Sequence, residues 1–298
     1  MKIGYIGLGK MGMGMVKLLL DKGHEVVATD LSEEARKEAE TAGAETATNL
    51  EELTGKLPGE KFIWIMVPHQ IVDKVLGELS EHLNPGDVVM DGGNSNFKET
   101  LRRAAELKEK DLVFMDVGVS GGPGGARNGA CMMIGGARDK FDKYEPLFKD
   151  LSVGDGYAYM GAAGAGHYVK MVHNGIEYGM MQAIGEGFEI LKNGHFDLDL
   201  AEVTRIYNNG SVIESRLIGW LQNAYKQEGE DLSAISGEVS HSGEGLWTVE
   251  EARERYIQTP VIEASLQFRI DSQGKPSYAG QVVSALRNQF GGHSVKKS

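Results

Sequence analysis

Lys2-Ile3-Gly4-Tyr5-Ile6-Gly7-Leu8-Gly9-Lys10-Met11-Gly12 carries the strongest indication of fold class in the chain. A short apolar run, Lys2 to Ile6, reads as a strand, and Gly12 to Asp21 as a helix. Between them the glycines fall as Gly7-x-Gly9-x-x-Gly12, with Leu8, Lys10 and Met11 filling the loop. Gly7 permits a tight turn, Gly9 lets the backbone approach a pyrophosphate, and Gly12 allows close helix packing. The helix N-terminus then stabilises the anion. A second strand, Glu25 to Thr29, ends in Asp30, where a carboxylate accepts hydrogen bonds from adenosine ribose hydroxyls. A 2'-phosphate would meet like charge there and Leu31-Ser32 adds no basic clamp, so the stretch predicts NAD rather than NADP.

The alternation continues outward from this unit. Ser32 to Ala42 and Ile71 to Leu83 suit helices, whereas Phe62 to Val67, Val88 to Met90 and Val113 to Met115 are strand-like. Ligand-binding loops belong at the carboxyl ends of such strands. Val67-Pro68 and Asn94 are therefore expected on the nicotinamide side. Asp116 to Ala126 reads as a glycine-rich loop whose Ser120 and backbone N–H groups can hold a carboxylate. From His167 the pattern becomes helical, over His167 to Asn193, Leu200 to Glu228, Thr248 to Phe268 and Tyr278 to Phe290. The small residues Ala162 to Gly166 mark the junction. The chain is thus expected to be an α/β Rossmann-type N-terminal domain, 1–163, followed by an all-helical C-terminal domain, 164–298, for substrate binding and oligomerisation.

Lys170, His173, Asn174, Glu177 and Tyr178 fall at i, i+3, i+4, i+7 and i+8, so a helix sets them on one face. Met171, Val172, Ile176, Met180 and Ala183 are expected to supply packing around the rest of it. A lysine with a lowered pKa can take a proton from a substrate hydroxyl, and a protonated glutamate can return one. His173, Asn174 and Tyr178 offer substrate hydrogen bonds.

Composition narrows the function classes. In 298 residues, 31 Lys and Arg against 43 Asp and Glu leave a net charge of -12, which opposes nucleic-acid or anionic-membrane binding. One cysteine, Cys131, precludes an intrachain disulfide or multi-cysteine metal cluster and suits a reducing, cytoplasmic setting. No stretch approaches the roughly 20 apolar residues of a membrane span, and no His/Cys/carboxylate spacing calls for a metal.

Taken in order, GLGKMG (7–12), DGGNS (91–95), VSGGPGGARNG (119–129), KMVHNGIEYGMMQ (170–182) and RNQFGGH (287–293) make the chain resemble the decarboxylating 6-phosphogluconate dehydrogenases in their short form. It also resembles the wider β-hydroxyacid dehydrogenase superfamily. The resemblance implies that Ser120, Gly121 and Gly122 contact the sugar acid, with Asn94 near both substrate and cofactor. It implies Lys170 as catalytic base, Glu177 as acid, and His173 and Asn174 as substrate ligands. Tyr178 and Arg269 would bind phosphate, while Arg287 and His293 would come from the tail of a neighbouring subunit. A homodimer, or a tetramer built from it, follows from that sharing.

In one segment the chain departs from the resemblance. Where the family often has a KGTGKW-like sequence, this chain reads Ser242-Gly243-Glu244-Gly245-Leu246-Trp247. Glu244 directed inward would repel a phosphate, and a protonated His241 would offset part of that charge. The expected reaction is NAD-dependent oxidative decarboxylation of 6-phosphogluconate. Oxidation of a small or unphosphorylated β-hydroxy acid, such as 3-hydroxyisobutyrate, is the alternative, and an inactive nicotinamide-binding sensor a more distant one.

Overall fold

The computed structural model describes residues 1–292. Contacts divide the chain into two compact units, the first covering Met1–Lys170 and the second beginning at Met171. In the first, strands and helices alternate as β1 (Lys2–Ile6), α1 (Lys10–Asp21), β2 (Glu25–Thr29), α2 (Glu33–Thr41), β3 (Glu45–Thr46), α3 (Leu50–Gly55), β4 (Phe62–Ile65) and α4 (Val72–Leu79). The series continues through β5 (Val88–Asp91), α5 (Phe97–Lys108), β6 (Val113–Ser120), α6 (Gly122–Asn128), β7 (Ala130–Gly135), α7 (Arg138–Leu151) and β8 (Ser152–Gly161).

The strands form one sheet in the order β3-β2-β1-β4-β5-β6-β7-β8. Pairings from β3 to β6 are parallel, β6 meets β7 antiparallel, and β7 pairs parallel with β8. The order reverses between β1 and β4, which makes the end of β1 the switch point of a Rossmann-type sheet. Side chains alternate across it. Ile3, Tyr5, Phe62, Trp64, Val88 and Met90 belong to one core cluster, and Ile6, Ile63, Ile65, Val89 and Phe114 to another. A strand buried on both faces must be apolar at every position, which is why Phe62–Ile65 shows no polar alternation.

The second unit is helical: the rest of α8 (Ala165–Lys192), then α9 (Leu200–Tyr207), α10 (Arg216–Glu228), α11 (Glu244–Glu254), α12 (Pro260–Asp271) and α13 (Tyr278–Gly291). Its core joins Tyr178, Met181 and Phe188 to Leu217, Leu221, Tyr225, Val249, Leu266, Val282 and Leu286.

Several expectations need correction. The expected loop Asp116 to Ala126 is half strand and half helix, because β6 runs on to Ser120 and α6 starts at Gly122 with Pro123 in its first turn. The expected helix Leu200 to Glu228 is two, parted at Asn208 to Ser215 where Gly210 takes φ +83°. Thr248 to Phe268 also divides, since Pro260 must open a new helix rather than continue one. Ile176, Met180 and Ala183 are exposed rather than packed, and with Gly187 and Ile190 they form one stripe along α8.

Candidate active site

The glycine loop has the geometry its residues require. Gly7 sits at φ +101°, and a Cβ there would lie 2.3 Å from the Met66 carbonyl oxygen. A Cβ at Gly12 would lie 2.0 Å from the Gly7 oxygen, so α1 can approach β1 this closely only with glycine. Gly9 caps α1 without a side-chain hydrogen bond, and a Cβ built on it would meet nothing within 4 Å. An open helix N-terminus of this kind fits a pyrophosphate. Leu8 is buried, Lys10 exposed and Met11 half-buried around it.

Asp30 closes the loop from the other side. Its Oδ2 accepts from the Leu8 N–H at 2.7 Å and its Oδ1 from the Ser32 N–H at 2.8 Å. Each oxygen retains a lone pair for a ribose hydroxyl. The first turn of α2, capped by Ser32, also brings Arg36 back to donate to the carbonyl oxygens of Asp30 and Leu31. The sequence reading had placed no basic side chain here. The signal was the Ser32 cap, which sets Arg36 one turn into the helix.

Val67 and Pro68 follow β4, and the DGGNS turn follows β5 beside them: a Cβ at Gly93 would lie 2.7 Å from the Val67 carbonyl oxygen. Asp91 shapes that turn, accepting from the Gly93 N–H at 2.9 Å and the Ser95 hydroxyl at 2.7 Å. Buried Arg103 stands 3.6 Å from its Oδ2. Asn94 is left exposed at the tip.

Lys170 is positioned by residues that sequence reasoning gave no role. Asp116, fully buried on β6, accepts from the N–H groups of Gly164 at 2.6 Å and His167 at 2.8 Å, satisfying orphan donors at the start of α8. The His167 ring is held in turn by the Thr100 hydroxyl, 2.7 Å from its Nδ1. Two residues along β6, Gly118 leaves room for Lys170 itself, since a Cβ there would lie 2.3 Å from the Lys170 Cβ. The strand therefore sets the height of the lysine on α8. Ser120 ends the same strand, with Gly121 (φ +125°) and Gly122 turning the chain into α6.

Beyond Met171, α8 carries His173, Asn174, Glu177 and Tyr178. His173 Nδ1 is 2.9 Å from Asn174 Oδ1 and 3.8 Å from Glu177 Oε2. Tyr178 is buried, and the Arg269 guanidinium of α12 lies 3.3 Å from the centre of its ring. Arg269 is only 2% exposed, and its Nη2 and the Tyr178 hydroxyl both lack a hydrogen-bond partner among the described residues. Burial pushes Arg269 down to about 10, so it stays cationic at neutral pH, and burial pushes the Tyr178 phenol up. Arg287 is buried, donates to Ser240 Oγ at 2.8 Å, and acts on Tyr178, Glu177 and Glu244 by its charge. The resemblance lent Arg287 to a neighbouring subunit. Here α13 packs into the core of its own unit through Val282, Val283 and Leu286, which keeps Arg287 in the cluster of its own chain. His293 lies outside the described residues.

Glu244 joins this cluster. It opens α11 after Gly243, is 4% exposed, and has an unpartnered Oε2 among the described residues. Gly245 presses on Tyr178, where a Cβ would lie 2.4 Å from the ring. Among the described residues no group of three or more His, Cys, Asp or Glu is disposed to hold a metal, and no helix is long and apolar enough to cross a membrane.

Comparison with known proteins agrees with this division. Residues 2–166 match the NAD binding domain of 6-phosphogluconate dehydrogenase, and residues 166–288 match the 6-phosphogluconate dehydrogenase C-terminal domain. The chain is 45% identical to the NAD(+)-dependent, decarboxylating 6-phosphogluconate dehydrogenase of Haloferax volcanii, covering 100% of this chain and 99% of that one. It is 48% identical, over 100% of both chains, to the Bacillus subtilis protein YqeC, whose name carries 6-phosphogluconate dehydrogenase as a provisional assignment. Among solved structures, Plasmodium falciparum 6-phosphogluconate dehydrogenase superposes with a TM-score of 0.84 at 32% identity, covering 92% of this chain and 62% of that one. A Salmonella typhimurium 3-hydroxyisobutyrate dehydrogenase shares the fold, with a TM-score of 0.75 at 20% identity over 95% of this chain and 98% of that one.

Proposed function

The chain belongs to the 6-phosphogluconate dehydrogenase family, and from that premise we propose that it carries out the NAD-dependent oxidative decarboxylation of 6-phospho-D-gluconate to D-ribulose 5-phosphate, CO2 and NADH. The observation that carries the substrate assignment is the buried Tyr178–Arg269–Arg287 cluster, whose two unpartnered donors suit a phosphoryl group. NAD is supported by the open N-terminus of α1 and by Asp30, whose carboxylate repels a 2'-phosphate.

Gly7 to Gly12 and Asp30 would hold the dinucleotide, with Val67, Pro68 and Asn94 towards the nicotinamide. Bound there, NAD supplies the acceptor for the hydride that leaves C3. Lys170 takes the C3 hydroxyl proton as that hydride departs, leaving a β-keto acid. The resulting ammonium stabilises the oxyanion that forms on the C3 oxygen when the C1 carboxylate leaves as CO2. Lys170 passes its proton to the C3 oxygen to give the enediol and takes it back as Glu177 delivers a proton to C2, which leaves the ketone. Ser120 and the N–H groups of Gly121 and Gly122 would hold the sugar acid, and His173 and Asn174 its hydroxyls.

A homodimer, or a tetramer built from it, completes this reading. It is supported by the exposed stripe Ile176, Met180, Ala183 and Ile190 on α8. The single cysteine, exposed and unbridged, is consistent with a cytoplasmic setting.

One observation favours a second reading. Buried Glu244, a carboxylate beside the arginines, suits an uncharged substrate end such as that of gluconate. Steady-state reduction of NAD and NADP with CO2 detection separates the readings, using 6-phosphogluconate, gluconate and 3-hydroxyisobutyrate. NADH and CO2 in equal amounts from 6-phosphogluconate are expected. Reduction with an unphosphorylated acid alone would overturn the phosphate assignment.

A further inference from the structure

Three polar atoms in the second unit are buried in one cluster without hydrogen-bond partners among the described residues: Arg269 Nη2, the Tyr178 hydroxyl and Glu244 Oε2. The first two are donors and the third accepts only. A phosphate dianion satisfies both donors but leaves the carboxylate oxygen facing another negative oxygen. An unpaired charge of that kind in a buried site is strongly unfavourable.

Glu244 has no easy retreat. Its backbone oxygen accepts from the Thr248 hydroxyl at 2.8 Å, and that hydroxyl is also 2.8 Å from the Met171 oxygen. Gly245 is wedged on the Tyr178 ring. The charged or titratable groups around it are Glu177 and Tyr178 on α8, Arg269 on α12, Arg287 on α13, and the exposed His241 ahead of α11. Glu244 sets a carboxylate directly against the two arginines, which weakens the positive charge with which the cluster draws in a dianion.

We propose that Glu244 makes this pocket select the singly protonated phosphate monoester. The P–OH hydrogen is donated to Glu244 Oε2, while Arg269, Arg287 and Tyr178 bind the remaining phosphoryl oxygens. An O–H···O⁻ bond of this kind is short and charge-assisted, and it converts a repulsion into a contact. The inference rests on the reading above that the substrate carries a phosphate. It makes Glu244 a specificity-determining residue for that substrate rather than an obstacle to it.

The second pKa of a phosphate monoester is about 6, so above that value the monoanion falls about tenfold per pH unit. Calorimetric titration of the full-length protein with 6-phosphogluconate at pH 6, 7 and 8 should show Kd rising about tenfold between pH 7 and 8. Glu244→Gln, whose amide can donate to a dianion, should reduce that rise to less than about twofold, as should Glu244→Thr if the amide variant does not fold. The sulfate ester of gluconate 6-sulfate carries a single charge and no second proton, and its Kd should not change between pH 6 and 8. A histidine titration would move the sulfate and phosphate esters alike and would overturn the inference. So would equal 6-phosphogluconate affinity at pH 6 and 8, or an unchanged slope in the folded Glu244 variant. If 6-phosphogluconate neither binds nor turns over at any pH while an unphosphorylated acid is oxidised, the substrate reading falls and this inference with it.

Discussion

Adding one methyl group at Gly118 should disable the enzyme while leaving its cofactor loop intact. In Gly118→Ala the new Cβ would stand 2.3 Å from Lys170 Cβ, 3.0 Å from its Cγ and 3.1 Å from the Gly166 oxygen. Ordinary contact begins at 3.4 Å, so strand and helix must part by about 1.1 Å. The helix cannot simply recede. Asp116 grips the N–H groups of Gly164 and His167, and a Cβ at Gly166 would already lie 2.3 Å from the Met133 oxygen. Overpacking of this size destabilises by roughly 1–3 kcal/mol, and a 1 Å misplacement of a reacting group lowers the rate about 10²-fold. Steady-state kinetics should therefore show kcat down about 10²-fold with the Kd for NAD unchanged, and thermal unfolding a Tm lower by several degrees. Gly77→Ala is the control, since nothing lies within 4 Å of a Cβ at that exposed position of α4. A folded Gly118→Ala protein turning over at the wild-type rate would refute the argument: either Lys170 is not the base, or β6 does not set its height.

Other substitutions probe separate parts of the structure. Asp116→Asn turns an amide N–H₂ toward a backbone N–H it should accept from, and denaturant unfolding should show a loss of about 1–3 kcal/mol. An unchanged midpoint in Asp116→Asn would mean the start of α8 is held elsewhere. Asp30→Ala should raise the KM for NAD about tenfold and narrow the NAD over NADP ratio of kcat/KM, and a constant ratio would remove Asp30 from the ribose contact. Burial works to raise the Glu60 pKa, but Lys140, Lys143 and the Tyr144 hydroxyl outweigh it and hold the carboxyl down to about 2. Its contribution is therefore present above pH 4.5 and lost as pH falls toward 2. Unfolding free energies of wild type and Glu60→Gln from urea titration should differ by about 0.5–1 kcal/mol at pH 7 and converge between pH 4.5 and about 2, whereas a constant gap would show that the charge is not what matters.

Features that depend on local geometry are legible in the residues alone. Gly7 and Gly12 between a strand and a helix demand a dinucleotide turn, because a Cβ at either would lie 2.0–2.3 Å from a backbone oxygen, while Gly9 leaves the helix N-terminus open. Helical spacing likewise set Lys170, His173, Asn174, Glu177 and Tyr178 along one element, since the period of a helix is a local property. Element ends were less legible. The glycines from Gly118 to Gly125 read as a loop, yet one makes room for a lysine on a strand and others form a short helix, and composition cannot tell those uses apart. The company each polar residue keeps depends instead on packing between segments distant in the chain. Asp116 anchors a helix that begins nearly fifty residues later, Arg36 folds back onto the end of β2, and Arg287 stays with Arg269 of its own chain. Glu244 acquires its meaning the same way. The sequence marks it as a departure that would matter if it pointed inward, and the fold supplies that condition by burying it beside Tyr178, Arg269 and Arg287, where water is too far away to screen it.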